Sequence, residues 1–197
     1  MKNPVITISR QYGSGGRLIR AKLSERLNIP LYDKRLFYEA AQRSNILEGF
    51  FEQAEERNQP FCGHAFDTAL SGNYLAFQDW VFLSLARTMQ ELAEKGPCII
   101  MGRGGNQILK DRKDVLNVYL YASMEQRIRR VVQETGMKPE EAERKIGMED
   151  KNRALYLKHY TDQMFGDACN YHLCLDSGSL GIENTVEIIC GAYQKGE

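Results

Sequence analysis

At 197 residues the chain has room for one domain with a full core and is short for two. Its 26 Lys+Arg balance 26 Asp+Glu, which speaks against a general nucleic-acid binder and leaves room for a local basic pocket. No apolar run reaches membrane-spanning length, the N-terminus enters a strand without a signal-peptide pattern, and five scattered cysteines make no disulfide framework, so a cytoplasmic protein is expected.

The chain opens on Ile6-Thr7-Ile8, a β-branched apolar run that predicts a buried strand. The run breaks into Gly13-Ser14-Gly15-Gly16-Arg17 and resumes as a helix with Leu18, Ile19, Leu23 and Leu27 at helical spacing. Strand, glycine loop and helix together aim free backbone N–H groups at a phosphate. The alternative is a plain turn between the first strand and helix of any α/β domain. The loop approaches GxxxxGK[ST] without matching it. Its second glycine is Gly15, its first falls on Arg10, the lysine falls on Gly16 and the hydroxyl residue on Arg17.

Asn28-Ile29-Pro30 ends this helix, and Leu31-Tyr32-Asp33 predicts a short second strand. Asp33 either orients a ligand group or caps a helix starting at Lys34. That helix runs to Ser44, a loop-rich stretch follows to Gly72, and helical periodicity returns from Asn73 to Lys95, stopped by Gly96-Pro97. Cys98-Ile99-Ile100-Met101 fits a central parallel strand. It delivers Arg103, flanked by glycines, to the strand's end. A guanidinium there suits a phosphate, or an ion pair with a neighbouring helix.

Leu116 to Tyr121 is the next strand. Ser123 and Gln126 form a capping box for a helix to about Glu134. Gly136 breaks it, and Pro139-Glu140-Glu141 opens a charged helix. Tyr171 to Asp176 predicts the last strand and Ile182 to Tyr193 the last helix. Cys169, His172 and Cys174 lie close in sequence, yet they cannot easily converge from one strand, so no metal centre is expected. His159 is a weak general-base candidate, since phosphoryl transfer chiefly needs positioning and charge neutralisation. Alternating strands and helices predict a parallel sheet covered on both faces, with ligands at the carboxyl ends of its strands. Gly13 to Arg17, Asp33 and Gly102 to Gly105 all fall at such ends.

One more group stands out: Asp150-Lys151-Asn152-Arg153-Ala154, with Asp150 and Arg153 one helical turn apart. With the opening Ile6-Thr7-Ile8-Ser9-Arg10-Gln11-Tyr12-Gly13-Ser14-Gly15-Gly16-Arg17, with Leu31-Tyr32-Asp33, and with Leu173 to Glu183, it resembles the bacterial cytidylate kinase-like family. The resemblance spans nearly the whole chain, with Asn45 to Gly72 weakly covered. It implies a single α/β domain over 1–197: a three-layer P-loop kinase-like fold with a five-stranded parallel sheet, helices on both faces and a helical lid. The lid would cover about 136–166 and an acceptor-binding insertion about 34–95. The implied activity is ATP-dependent phosphoryl transfer, with Mg2+ carried by the substrate phosphates, to a CMP-like nucleoside monophosphate. The implied partners are small-molecule nucleotides, with no nucleic acid and no membrane. A non-catalytic nucleotide-binding protein on this fold and a kinase for a small non-nucleotide metabolite are the alternatives.

Residue by residue, the resemblance implies that Gly13, Ser14, Gly15, Gly16 and Arg17 hold the donor phosphates and that Arg127 begins the lid. Arg103 would contact the acceptor phosphate, Asp150 and Arg153 would hold the acceptor, and Asp33 and Arg35 would lie beside it. Members of that family carry this glycine loop in place of a regular Walker motif: Gly16 stands where true cytidylate kinases have the P-loop lysine, and Arg17 where they have the magnesium-binding Ser/Thr. Gly104 replaces an acid, Ile146 a lid arginine, and Glu39 an arginine for which Arg35 substitutes. Arg17 is therefore expected to replace the lysine as a catalytic cation beside Arg103 and Arg153. Arg20, one turn further on, is expected to do little.

Overall fold

The computed structural model describes residues 5–33 and 72–194. The helix predicted from Lys34 to Ser44, Arg35, Glu39 and most of the expected acceptor-binding insertion lie outside these residues. In chain order the described elements are β1 (Val5–Arg10), α1 (Gly16–Leu27), β2 (Leu31–Tyr32), α2 (Gly72–Lys95), β3 (Ile99–Met101) and α3 (Gly105–Ile108). They continue as β4 (Val115–Tyr121), α4 (Met124–Thr135), α5 (Pro139–Thr161), a 3-10 turn (Ala168–Asn170), β5 (Leu173–Asp176) and α6 (Gly181–Gln194).

The strands form one parallel five-stranded sheet in the order β2-β3-β1-β4-β5. β1 lies at its centre because it is apolar on both faces. Val5 meets the cluster of Val81, Leu85, Met89 and Ile100 under α2. Ile6 and Ile8 point the other way, into Ile19, Leu23, Val186 and Ile189 of α1 and α6. Each fully buried aliphatic side chain contributes about 1.5–3 kcal/mol, so two independent cores clamp the sheet from opposite sides. Thr7, buried in the same strand, donates to Asn117 Oδ1 at 2.6 Å, which accounts for an asparagine inside β4.

Local signals set several boundaries. Ser123 accepts from the Gln126 N–H and the Gln126 side chain returns to the Ser123 N–H, the expected capping box, and Gly136 closes α4 in a left-handed conformation. Three expectations are corrected. Leu18 is 47% exposed, so the buried stripe of α1 is Ile19 and Leu23 alone. β5 starts two residues later than predicted, because Asp167 caps the Cys169 N–H and Tyr171 closes a 3-10 turn on Ala168. The third concerns α5, whose dense charge gives no sign of an apolar face: Ala142 and Ile146 are fully buried against Val131, with Tyr12 packed on this third cluster.

Candidate phosphate site at the carboxyl ends of β1 and β3

The loop between β1 and α1 is anchored through its carbonyls. Arg130 Nη1 donates to the Gly13 oxygen at 2.8 Å, Arg127 Nη1 to the Tyr12 oxygen at 3.4 Å, and Ser177 Oγ to the Ser14 oxygen at 2.5 Å. Gln11 ties the loop's start to β4, its N–H to the Leu120 oxygen at 2.9 Å and its Oε1 to the Ala122 N–H at 3.2 Å. With the carbonyls held on the far side, the N–H groups of Gly15, Gly16 and Arg17 find no acceptor among the described residues. These are the orphan donors of a helix start, where the helix dipole favours an anion. Gly15 has φ 79°, and a Cβ there would lie 2.6 Å from Ile182 Cδ1, so only glycine fits.

Four arginines gather beside this loop. Arg10 ends β1, Arg103 follows β3, Arg153 reaches down from α5 and Arg20 rises from α1. Burial and the charges of Arg153, Arg103 and Arg20 push the Arg10 pKa down to about 9, with Asp33 pulling the other way. It stays cationic at neutral pH. Arg153 is likewise lowered by burial, against Asp150 and Glu149. Its Nη1 donates to the Arg10 carbonyl at 2.9 Å, and its guanidinium lies 5.5 Å over the Tyr12 ring. Crowded, partly desolvated cations suit a multiply charged anion, which guanidinium groups grip through charge-assisted hydrogen bonds.

Arg103 has φ 59° between Gly102 at 75° and Gly104 at 71°, three successive left-handed residues. That conformation costs an arginine about 1–2 kcal/mol. The side chain lies 5.0 Å over the Tyr156 ring. Strain of this kind concentrates at sites of function.

The residues singled out from the sequence divide into groups. Gly13 to Gly16, Asp33 and Arg103 follow β1, β2 and β3 at the carboxyl ends of the parallel strands, and Arg153 of α5 reaches the end of β1 through the Arg10 carbonyl. Arg17 is exposed on the outer side of α1 and has no hydrogen-bond or ion-pair partner among the described residues. Arg20 is not inert: it pairs with Asp33 and thereby fixes the end of β2. Arg127 is 6% exposed, pairs with Asp150 at 2.5 Å, and has a buried Nε without a hydrogen-bond partner. Asp150 also accepts from the Tyr12 N–H at 2.7 Å, so it fastens α5 to the glycine loop. His159 stands 3.7 Å from Asp79 on the surface.

Arg10, Arg130 and Ser177 were missed by sequence reasoning. For Arg10 a signal existed, a cation where GxxxxGK requires glycine. For the other two none did, since their partners are remote in sequence.

Among the described residues no group of three His, Cys, Asp or Glu side chains comes together. The first turn of α1 carries no hydroxyl, and Ser14, fully buried, spends its own on the Gln11 carbonyl at 2.9 Å. His172 turns Nδ1 to the Asn117 N–H at 3.0 Å.

The model of the cytidylate kinase-like family matches residues 5–179. A cytidylate kinase of Methanopyrus kandleri is 27% identical over 202 residues, covering 95% of this chain and 92% of that protein. Among solved structures, a protein of Eubacterium ventriosum superposes with a TM-score of 0.74 at 23% identity, over 97% of this chain and 98% of that one. A shikimate kinase of Bacteroides thetaiotaomicron superposes with a TM-score of 0.52 at 15% identity, over 97% and 98%. These likenesses give the fold of P-loop kinases. No helix among the described residues is long and apolar enough to cross a membrane.

Proposed function

The chain belongs to the cytidylate kinase-like family, and from that premise we propose that it transfers the γ-phosphoryl group of ATP to a nucleoside monophosphate, CMP or a close analogue. The observation that carries the reading is the convergence of Arg10, Arg103 and Arg153 beside the open N–H groups of α1. An acceptor phosphate oxygen attacks the γ phosphorus, the bond to the bridging oxygen breaks, and ADP leaves with a nucleoside diphosphate. No proton has to move, so the protein's task is to align two polyanions and neutralise the charge between them. The glycine loop takes the donor phosphates, Arg103 the acceptor phosphate, and Arg153 spans the two from α5. Magnesium would come bound to the ATP phosphates and would offset their charge there. Segment 136–166 acts as the lid that excludes water, with Asp150 and Arg127 as its hinge-side fastening.

A coupled assay of ADP release tests this, with ATP against the common nucleoside monophosphates and a set of hydroxylated metabolites. Turnover is expected with a pyrimidine monophosphate and is expected to fall in Arg103→Ala. ATP binding without transfer to any acceptor would favour a nucleotide-binding protein, and turnover with a hydroxylated metabolite alone would favour a small-molecule kinase.

A further inference from the structure

We propose that Arg10 is the phosphate-gripping cation of this loop, reaching from the end of β1 into the place that a lysine at the start of α1 has in a regular GxxxxGK loop. The proposal rests on the phosphoryl-transfer reading above and assigns its donor-side charge.

Two positions of the pattern are exchanged in kind. The first position, where glycine is required, carries Arg10, and the lysine position carries Gly16. The backbone does not demand the second change. Gly16 is absent from the left-handed residues, unlike Gly13 and Gly15, so its conformation admits any side chain. A Cβ on Gly16 would meet Arg10 Cγ at 3.2 Å, tight enough that the stem must give by a few tenths of an ångström, and Arg10 Cβ at an ordinary 3.6 Å. The aliphatic stem of Arg10 therefore borders the space by which a side chain at 16 would leave the helix.

Beyond the stem, the guanidinium lies against Gly102 at the end of β3, so closely that a Cβ there would collide with Nη1. Its charge thus sits between the two glycine loops, donor loop on one side and Arg103 on the other. The backbone of Arg10 is held by Arg153 at 2.9 Å, and its register on Leu120 fixes where the side chain starts. The Arg10 guanidinium forms no ion pair among the described residues, the charges of Arg153, Arg103 and Arg20 outnumber that of Asp33 around it, and a planar fork matches two oxygens of a polyphosphate. Arg17, one residue after the lysine position, leaves the helix about 100° further round, and it is exposed.

The test is a cycle of four proteins: the parent, Arg10→Gly, Gly16→Lys, and the double variant, which has a regular GxxxxGK. ATP affinity is read by calorimetry, and kcat/KM for ATP with the parent's best monophosphate. Arg10→Gly is expected to lose about ten- to a hundredfold in both, the worth of a charge-assisted contact. Gly16→Lys alone, which crowds the Arg10 stem, is also expected to lose. The double variant is expected to recover to within about threefold of the parent, the non-additivity of two residues that are in contact and supply the same charge. Losses that simply add, an Arg10→Gly variant with parental affinity, or an Arg17→Ala variant that loses more than Arg10→Gly, would each overturn the proposal. If Arg10→Gly fails to fold, the double variant decides alone: it must bind ATP. A parent that binds ATP without transferring phosphate sinks the kinase reading and leaves the calorimetric cycle to judge Arg10. A parent that does not bind ATP overturns both.

Discussion

The hydroxyl of Ser177 lies 2.5 Å from the carbonyl oxygen of Ser14, and both residues are closed to solvent. This contact joins the loop after β5 to the loop after β1. Ser177→Ala leaves a buried carbonyl without its donor, a loss of about 2 kcal/mol. For a chain of this size the expected fall in Tm is about 4–8 °C. ATP affinity should fall with it, because the carbonyl is then free to turn. Calorimetry with and without ATP checks both effects, and an unchanged Tm would show that the contact does not brace the loop.

Asp150 is the common partner of Arg127 and of the Tyr12 N–H. Asp150→Ala strands a buried guanidinium and an amide at once, and about 3 kcal/mol of stability should go. Asp150→Asn retains an acceptor for Tyr12 while giving up the charge, so it should fall between parent and alanine in urea denaturation. Equal stability of all three proteins would mean that α5 is held to the loop by its apolar cluster alone.

Arg103 occupies a left-handed conformation that suits glycine. Arg103→Gly should therefore be more stable than Arg103→Ala by about 1 kcal/mol, since alanine keeps the strained Cβ. Both should lose phosphoryl transfer together. Chemical denaturation beside the coupled assay separates the two effects, and two variants of equal stability would mean that the backbone there is not strained.

Burial raises the Cys98 thiol to about 11, with Arg112 pulling down, whereas Cys169 is exposed. Because the thiolate is the nucleophile, iodoacetamide at pH 8 should label Cys169 and leave Cys98 untouched. Raising the pH to 9 should not change this for Cys98, which titrates higher still. Peptide mapping reads the result, and early labelling of Cys98 would show that the core under α2 opens.

What could be read from the sequence was what depends on neighbours in the chain. The capping box of Ser123 and Gln126, the stop at Gly136 and the apolar run of β3 need only a few residues each. So the alternation of strands and helices, the layers and the loop-bearing strand ends were legible, while the order of the strands in the sheet was not. Leu18 was not, since helical spacing cannot say which of two adjacent leucine or isoleucine positions faces the sheet. Nor was the work of Asp150, Arg130 and Ser177, whose partners lie 138, 117 and 163 positions away. Nor was the ion pair of Arg20 with Asp33, which reaches it across the turn into β2.

The stem of Arg10 beside Gly16 has a further consequence, for how the two positions can vary. A Cβ at 16 presses on the Arg10 stem, and a smaller residue at 10 relieves that pressure, so the effects of substitutions at these two positions are expected to be coupled rather than independent.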